Sequence, residues 1–166
     1  MANVPADEDS FPVSSWFREL LERGIQNIRL NGQAIRQPSP PGLGTRFQAD
    51  GSNLPRVVAA LGKDESRFRS WVEHVKTALD EVVNISTVER QEDRHRYLSI
   101  EYGNGARVPS WLLSDGSLRL MALTILACVE DADGVFLIEE PENGIRPEAI
   151  ETVMQSLESI HDGQVS

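Results

Sequence analysis

Glu139 and Glu140 stand side by side, directly after the apolar run Val135-Phe136-Leu137-Ile138 and directly before Pro141. Adjacent carboxylates repel each other, and burial raises their pKa values unless a cation or a substrate proton compensates. A divalent cation is the natural compensator, because carboxylates are hard oxygen ligands. A strand that merely ends in a solvated acidic loop is the competing explanation. The second feature is Leu113-Ser114-Asp115-Gly116-Ser117. It has the composition of a helix start, where four amides lack partners and a partial positive charge collects. With a small hydroxyl and a glycine there, backbone donors can come close to a phosphate. Plain N-capping explains Ser114 without any ligand. It does not explain Gly116, which weakens a first helical turn.

Both features need elements to position them. Val135–Ile138 is apolar on both faces and reads as a central strand buried between layers. The helix begun by Ser114 carries an apolar stripe of Leu118, Met121, Ala122, Ile125 and Val129. Pro147 opens another helix, with Ile150, Val153, Met154, Leu157 and Ile160 inward. Helix, buried strand, helix is the pattern of an α/β layered fold. In such sheets ligands bind outside the carboxyl ends of strands, which is where Glu139 and Glu140 fall.

The earlier chain reads as follows. Residues 1–13 form a loose polar tail. Ser14 or Ser15 caps a helix from Trp16 to Arg23, closed by Gly24. Ile25 to Leu30 is a short strand, and Asn31-Gly32 is a hairpin-type turn. Residues 36–53 make a long Pro/Gly-rich loop, a length that marks a functional or mobile segment. Asn53 caps a helix with Pro55 in its first turn, ending near Leu61 and Gly62. Asp64 caps the next, with Phe68, Trp71, Val72, Val75 and Leu79 on one face. Val82 to Arg90 and His95 to Tyr102 read as strands, followed by the turn Gly103-Asn104-Gly105.

Composition bounds these expectations. The chain has 166 residues, 40% of them apolar, enough for one domain or a piece of one with a real core. Cys128 is the only cysteine, so no internal disulfide forms, and a reducing, cytoplasmic setting fits. No apolar run nears the ~18–20 residues that span a bilayer, so no membrane partner is expected. Net charge is −10 and unevenly placed: residues 130–166 hold ten acidic groups against Arg146 alone. That excludes an overall basic nucleic-acid footprint, although the balanced earlier part can carry a local basic face. His74 and His95 lack metal-ligand spacing and read as surface residues, and His161 reads as an ordinary helix-end histidine. Cys128 reads as a small buried residue, not a nucleophile. Glu139 and Glu140 as a glycosidase-type acid/base pair fit poorly, since neighbours on a strand point to opposite faces.

The combination is more specific than its parts. The stretch VPSWLLSDGSLRLMALTILACVEDADGVFLIEEPENGIRP resembles the ABC-type ATPase heads of the RecF/SMC/OLD-like AAA ATP-binding proteins. Within it, LLSDGSLR resembles the signature motif, and VFLIEEPENGIRP resembles Walker B with its following loop. LRLNGQAIRQPSPP and QADGSNLPRVVAAL resemble the middle region of these proteins, so the likeness spans roughly residues 25–163. It implies part of a P-loop NTPase fold, an α/β layered sheet with flanking helices, working with ATP and Mg²⁺. By position, Glu139 would hold Mg²⁺, usually through water, and Glu140 would be the general base orienting the attacking water. Ser114, Asp115 and Gly116 would meet nucleotide, with Ser114 and Gly116 at the γ-phosphate of a nucleotide on the opposite subunit. Asn143 would lie in the loop that crosses the dimer seam. Phosphoryl transfer to water needs positioning and charge neutralisation, and these groups supply both.

The sequence departs from the family pattern in places. The metal position is more often Asp than Glu139, and Arg146 stands where His is frequent. No G-x-x-x-x-G-K-[ST] loop occurs in the 166 residues, and the one Gly-Lys pair, Gly62-Lys63, is followed by Asp64. The resemblance therefore makes residues 14–166 the C-terminal portion of an ATPase head. Residues 112–163 carry the signature helix, the Walker B strand and the following helix. The chain alone is expected to be incompetent for hydrolysis and to need a second ATPase head or a P-loop-bearing chain. A DNA-processing partner fits the group's roles in repair and phage defence. A non-catalytic regulatory or interaction module is the alternative. Val135–Ile138 as an outermost strand would be an adhesive apolar edge, which predicts self-association or dependence on a partner.

Overall fold

The computed structural model describes residues 25–129 and 135–161, together with the helical residue Arg18. The elements are β1 (Ile25–Ile28), α1 (Gly32–Arg36), α2 (Leu54–Leu61), α3 (Glu65–Ala78), β2 (Val82–Glu89) and β3 (Arg96–Tyr102). They continue with β4 (Arg107–Pro109), α4 (Asp115–Ile125), β5 (Val135–Ile138) and α5 (Pro147–His161). Single 3₁₀ turns at Ser110–Leu112 and Leu126–Cys128 bracket α4. The fold is mixed α/β, with a parallel sheet and flanking helices. β1 pairs in parallel with β5, Ile28 opposite Ile138, and β2-β3-β4 form a separate antiparallel sheet. The expected helix Trp16–Arg23 and the tail 1–13 lie outside the described residues apart from Arg18. Among the described residues no helix is long and apolar enough to cross a membrane.

α4 is the centre of the molecule. Leu118, Leu120, Met121, Ala122, Leu123, Thr124 and Ile125 are all buried, so the helix is apolar well beyond the single stripe its sequence advertises. Trp71 and Val75 of α3, Val57 and Val58 of α2, and Val153 of α5 complete the core around it. The one polar side chain inside is accommodated: Trp71 Nε1 donates to Thr124 Oγ1 at 3.0 Å, and Thr124 Oγ1 donates to the Leu120 carbonyl at 2.9 Å. The antiparallel sheet turns Val82, Ile85, Leu98 and Ile100 inward. A register shift between Val82 and Asn84 leaves Val83 exposed.

Several expectations are corrected. Val135–Ile138 is not a central strand buried on both faces. It pairs with β1 on one side, and its side chains alternate: Phe136 and Ile138 face the core, while Val135 and Leu137 are 44% and 51% exposed. Four apolar residues in a row carry no periodicity, so one buried face cannot be told from two. Asn31-Gly32 makes no hairpin: the Asn31 side chain caps α1, accepting from the amides of Gln33 and Ala34 at 2.9 and 3.1 Å. The Asn53 side chain does not cap α2. It is fully buried and turned into the preceding loop, donating to the carbonyls of Gly44 and Arg46 and accepting from the Gln48 amide.

The strand expected to reach Leu30 stops at Ile28, because the amides of Arg29 and Asn31 donate instead to the carbonyls of Ala49 and Asp50. Strand β4 carried no sequence signal beyond its turn. Met154 is 46% exposed, not inward. His74 is no plain surface residue: its Nε2 meets the Thr152 carbonyl at 2.9 Å and ties α3 to α5. The Ser114 and Asp64 caps form as expected, accepting from the amides of Ser117 and Arg67 at 3.1 Å each.

Candidate functional site

Parallel pairing puts the carboxyl ends of β1 and β5 at the same rim, and the Glu139 amide extends the ladder by donating to the Ile28 carbonyl at 3.1 Å. The chain turns sharply there. Glu140 has φ +49°, left-handed backbone that a residue with a Cβ adopts at a cost of about 1–3 kcal/mol. The turn is held twice: the Asn143 amide donates to the Glu140 carbonyl at 3.0 Å, and Asn143 Nδ2 donates to Glu140 Oε2 at 3.0 Å. Gly144 follows in the left-handed region at φ +74°, where glycine carries no steric penalty. Pro147 then starts α5.

The tip of α4 lies against this loop. A Cβ on Gly116 would collide with the Gly144 carbonyl oxygen, so only glycine permits the approach. This accounts for the residue that capping left unexplained. Ser114 and Asp115 are exposed at the same tip, and Ser114 Oγ also meets Ser117 Oγ at 2.8 Å. The structure therefore brings Ser114, Asp115, Gly116, Glu139, Glu140 and Asn143 to one rim, from segments some 25 residues apart in sequence.

Basic side chains brace that rim, and sequence reasoning did not single them out. Arg29, just past β1, meets Glu139 Oε1 at 2.6 Å, and Asn27 Nδ2 donates to the same oxygen at 3.4 Å. Arg36 of α1 pairs with the Asp115 carboxylate and donates to the carbonyls of Trp111 and Leu113 at 3.3 Å each. Gly32 is needed for this, since a Cβ there would strike Asp115. Arg119 Nη2 donates to the Leu30 carbonyl at 3.1 Å, tying α4 to the end of β1. The available signal was two arginines flanking Asn31-Gly32 in a chain whose acids gather in the last third.

A metal at this rim would find few protein ligands. Among the described residues no three His, Cys, Asp or Glu side chains are arranged to hold a cation. A single carboxylate, Glu139, with one oxygen already engaged by Arg29 and Asn27, fits a cation held mainly by phosphate oxygens and water, as Mg²⁺ usually is. It does not fit an all-protein cage. Cys128 lies at the opposite end of α4, where burial pushes its thiol pKa up, which suits an unreactive side chain.

A parallel strand pair ending in carboxylates, faced by a glycine-bearing helix tip and flanked by helices, is consistent with a P-loop NTPase-like domain. Residues 4–165 match the sequence profile of the family described as "AAA domain, putative AbiEii toxin, Type IV TA system", and the chain belongs to that family of AAA-type ATPases. Membership carries a nucleotide-binding, ATPase-type function in general terms. No curated protein and no solved structure matches the chain.

Proposed function

We propose that the chain supplies the signature and Walker B portion of an ABC-type ATPase head, in which Mg-ATP is sandwiched between two heads. The observation that carries this reading is the close approach of Gly116 to Gly144, which sets a helix tip with amide donors beside a carboxylate pair. Glu140 is the general base in this reading, its strained backbone turning the carboxylate out of the strand direction and Asn143 steadying it. Ser114, Asp115 and Gly116 face nucleotide held by the opposite head, with the α4 dipole favouring its negative charge. Glu139 would hold Mg²⁺, which when bound neutralises phosphate charge. Arg36 fixes the approach to α4 by engaging Asp115 and two carbonyls.

The 166 residues contain no G-x-x-x-x-G-K-[ST] loop, so the β- and γ-phosphate cradle must come from a second, P-loop-bearing chain or head. The same observation favours one alternative: a non-catalytic interaction module that keeps the dimer face. The family's description adds type IV toxin–antitoxin biology to the candidate settings, beside DNA repair and phage defence.

The test is sedimentation of the chain with a P-loop-bearing head of this family, with and without Mg-ATP, alongside phosphate release. Glu140→Gln should keep ATP-dependent association and abolish turnover. Unchanged hydrolysis removes the base assignment. No ATP-dependent association leaves the interaction module as the better description.

A further inference from the structure

A second cavity lies at the other end of α4. Its volume is about 350 Å³, and Phe47, Leu61, Val129, Phe136 and the Cys128 thiol wall it, with Arg46, Lys63 and Arg67 at its polar side. Phe136 points to the opposite face of β5 from Leu137, and α4 with its 11 residues separates this cleft from Ser114 by about 17 Å along the helix axis. It is a different place from the carboxylate rim.

Three features distinguish it from a packing defect. First, its charge runs against that of the chain: three cations face one carboxylate, Asp64, in a protein of net charge −10. Asp64 is already engaged, one oxygen capping α3 through the Arg67 amide at 3.1 Å. Second, the cations come from three separate segments, the 36–53 loop, the α2–α3 turn and α3, so no single helix pattern explains their meeting. Third, the loop that contributes Thr45, Arg46 and Phe47 is fastened from inside. Buried Asn53 donates to the Gly44 and Arg46 carbonyls at 2.9 and 2.7 Å, and buried Ser39 donates to the Ser52 carbonyl at 2.6 Å. A pinned wall lowers the ordering cost of binding.

We propose that this cleft binds a small aromatic anion, a flat apolar ring system carrying a phosphate, sulfonate or carboxylate. The rings lie against Phe47, Phe136 and Val129, and the anion meets Arg46 and Lys63 at the mouth. The volume is at the small end of ligand cavities, which run about 300–1,000 Å³, and it excludes a folded partner. Arg67 donates to the Cys128 carbonyl at 2.7 Å and so joins the basic side of the cleft to the end of α4.

Cys128 is the only cysteine, so its alkylation by N-ethylmaleimide reports on the cleft in the full chain. 1-Naphthyl phosphate should slow alkylation saturably. Neutral 2-naphthol and inorganic phosphate should each protect at least about tenfold less well, the loss expected when one charge-assisted bond or the ring contact is removed. Arg46→Glu and Lys63→Glu, made separately at exposed side chains, should each weaken protection about tenfold without moving the melting temperature. If one variant unfolds, the other carries the test. Absence of saturable protection, equal protection by 2-naphthol or by inorganic phosphate, or indifference to both charge reversals would overturn the proposal.

Discussion

The two sheets of this protein divide the work. The antiparallel sheet is long, with eight residues in β2 and seven in β3, and its inward row of Val82, Ile85, Leu98 and Ile100 is sealed against α2 and α3. The parallel pair has four residues per strand, buries one face and leaves Ile25, Val135 and Leu137 open on the other. Yet every candidate chemical group sits at the end of the parallel pair. The stable sheet serves as foundation and the half-covered one presents the site. Elements that must receive a ligand or a partner are drawn from the less stable part of a fold.

That contrast can be broken by substitution. Trp71→Ala empties the centre of the α3–α4 packing, removes the bond to Thr124, and should lower stability by about 3–5 kcal/mol in denaturant unfolding. Leu98→Ala should cost about 2–5 kcal/mol for the same reason. A loss below about 1 kcal/mol at both positions would deny the antiparallel layer its structural role. Gly116→Ala is the sharpest probe of the rim. The added methyl must push α4 and the 140–145 loop apart, costing about 1–3 kcal/mol, and should abolish ATP-dependent association with a P-loop-bearing head. Full association by that variant would separate the helix tip from the site.

Smaller effects sharpen the comparison. Leu137→Lys, on the open face of β5, should change stability by no more than about 0.5 kcal/mol. It should also reduce self-association in sedimentation, because a charge blunts an exposed strand. The smallest expected effect is on pH. The Arg96 guanidinium holds the Glu89 carboxyl below its usual range, and the His95 amide does the same for Asp93. A lowered folded pKa contributes stability that is present above the unfolded value, near 4. It is lost as pH falls through the folded one. Melting should therefore hold steady from neutrality to about pH 5 and decline below about pH 4. In Glu89→Gln part of that decline should vanish.

Local signals in the sequence were legible and long-range ones were not. Ser114 and Asp64 declare helix starts because an N-cap acts within three residues, and both side chains accept where expected. Periodicity revealed the α3 face but understated α4, whose outer residues Leu120 and Leu123 are buried by neighbours that no local pattern announces. Asn31 and Asn53 show the limit. Each has the composition of a turn or a cap, and tertiary partners chose which role it took. Gly116 was recognisable as anomalous, but its reason, the carbonyl of Gly144, lies 28 positions away. Arg36 and Asp115 are 79 apart, and nothing in their surroundings announces the pairing.

The central claim is that the α4 tip and the β5 loop form one nucleotide-facing unit. Hydrogen–deuterium exchange on the Glu140→Gln chain, mixed with a P-loop-bearing head and Mg-ATP, tests it most directly. Peptides covering residues 113–118 and 138–146 should slow together, while those covering β2 and β3 stay unchanged. Protection of one segment without the other, or of neither, would contradict the claim.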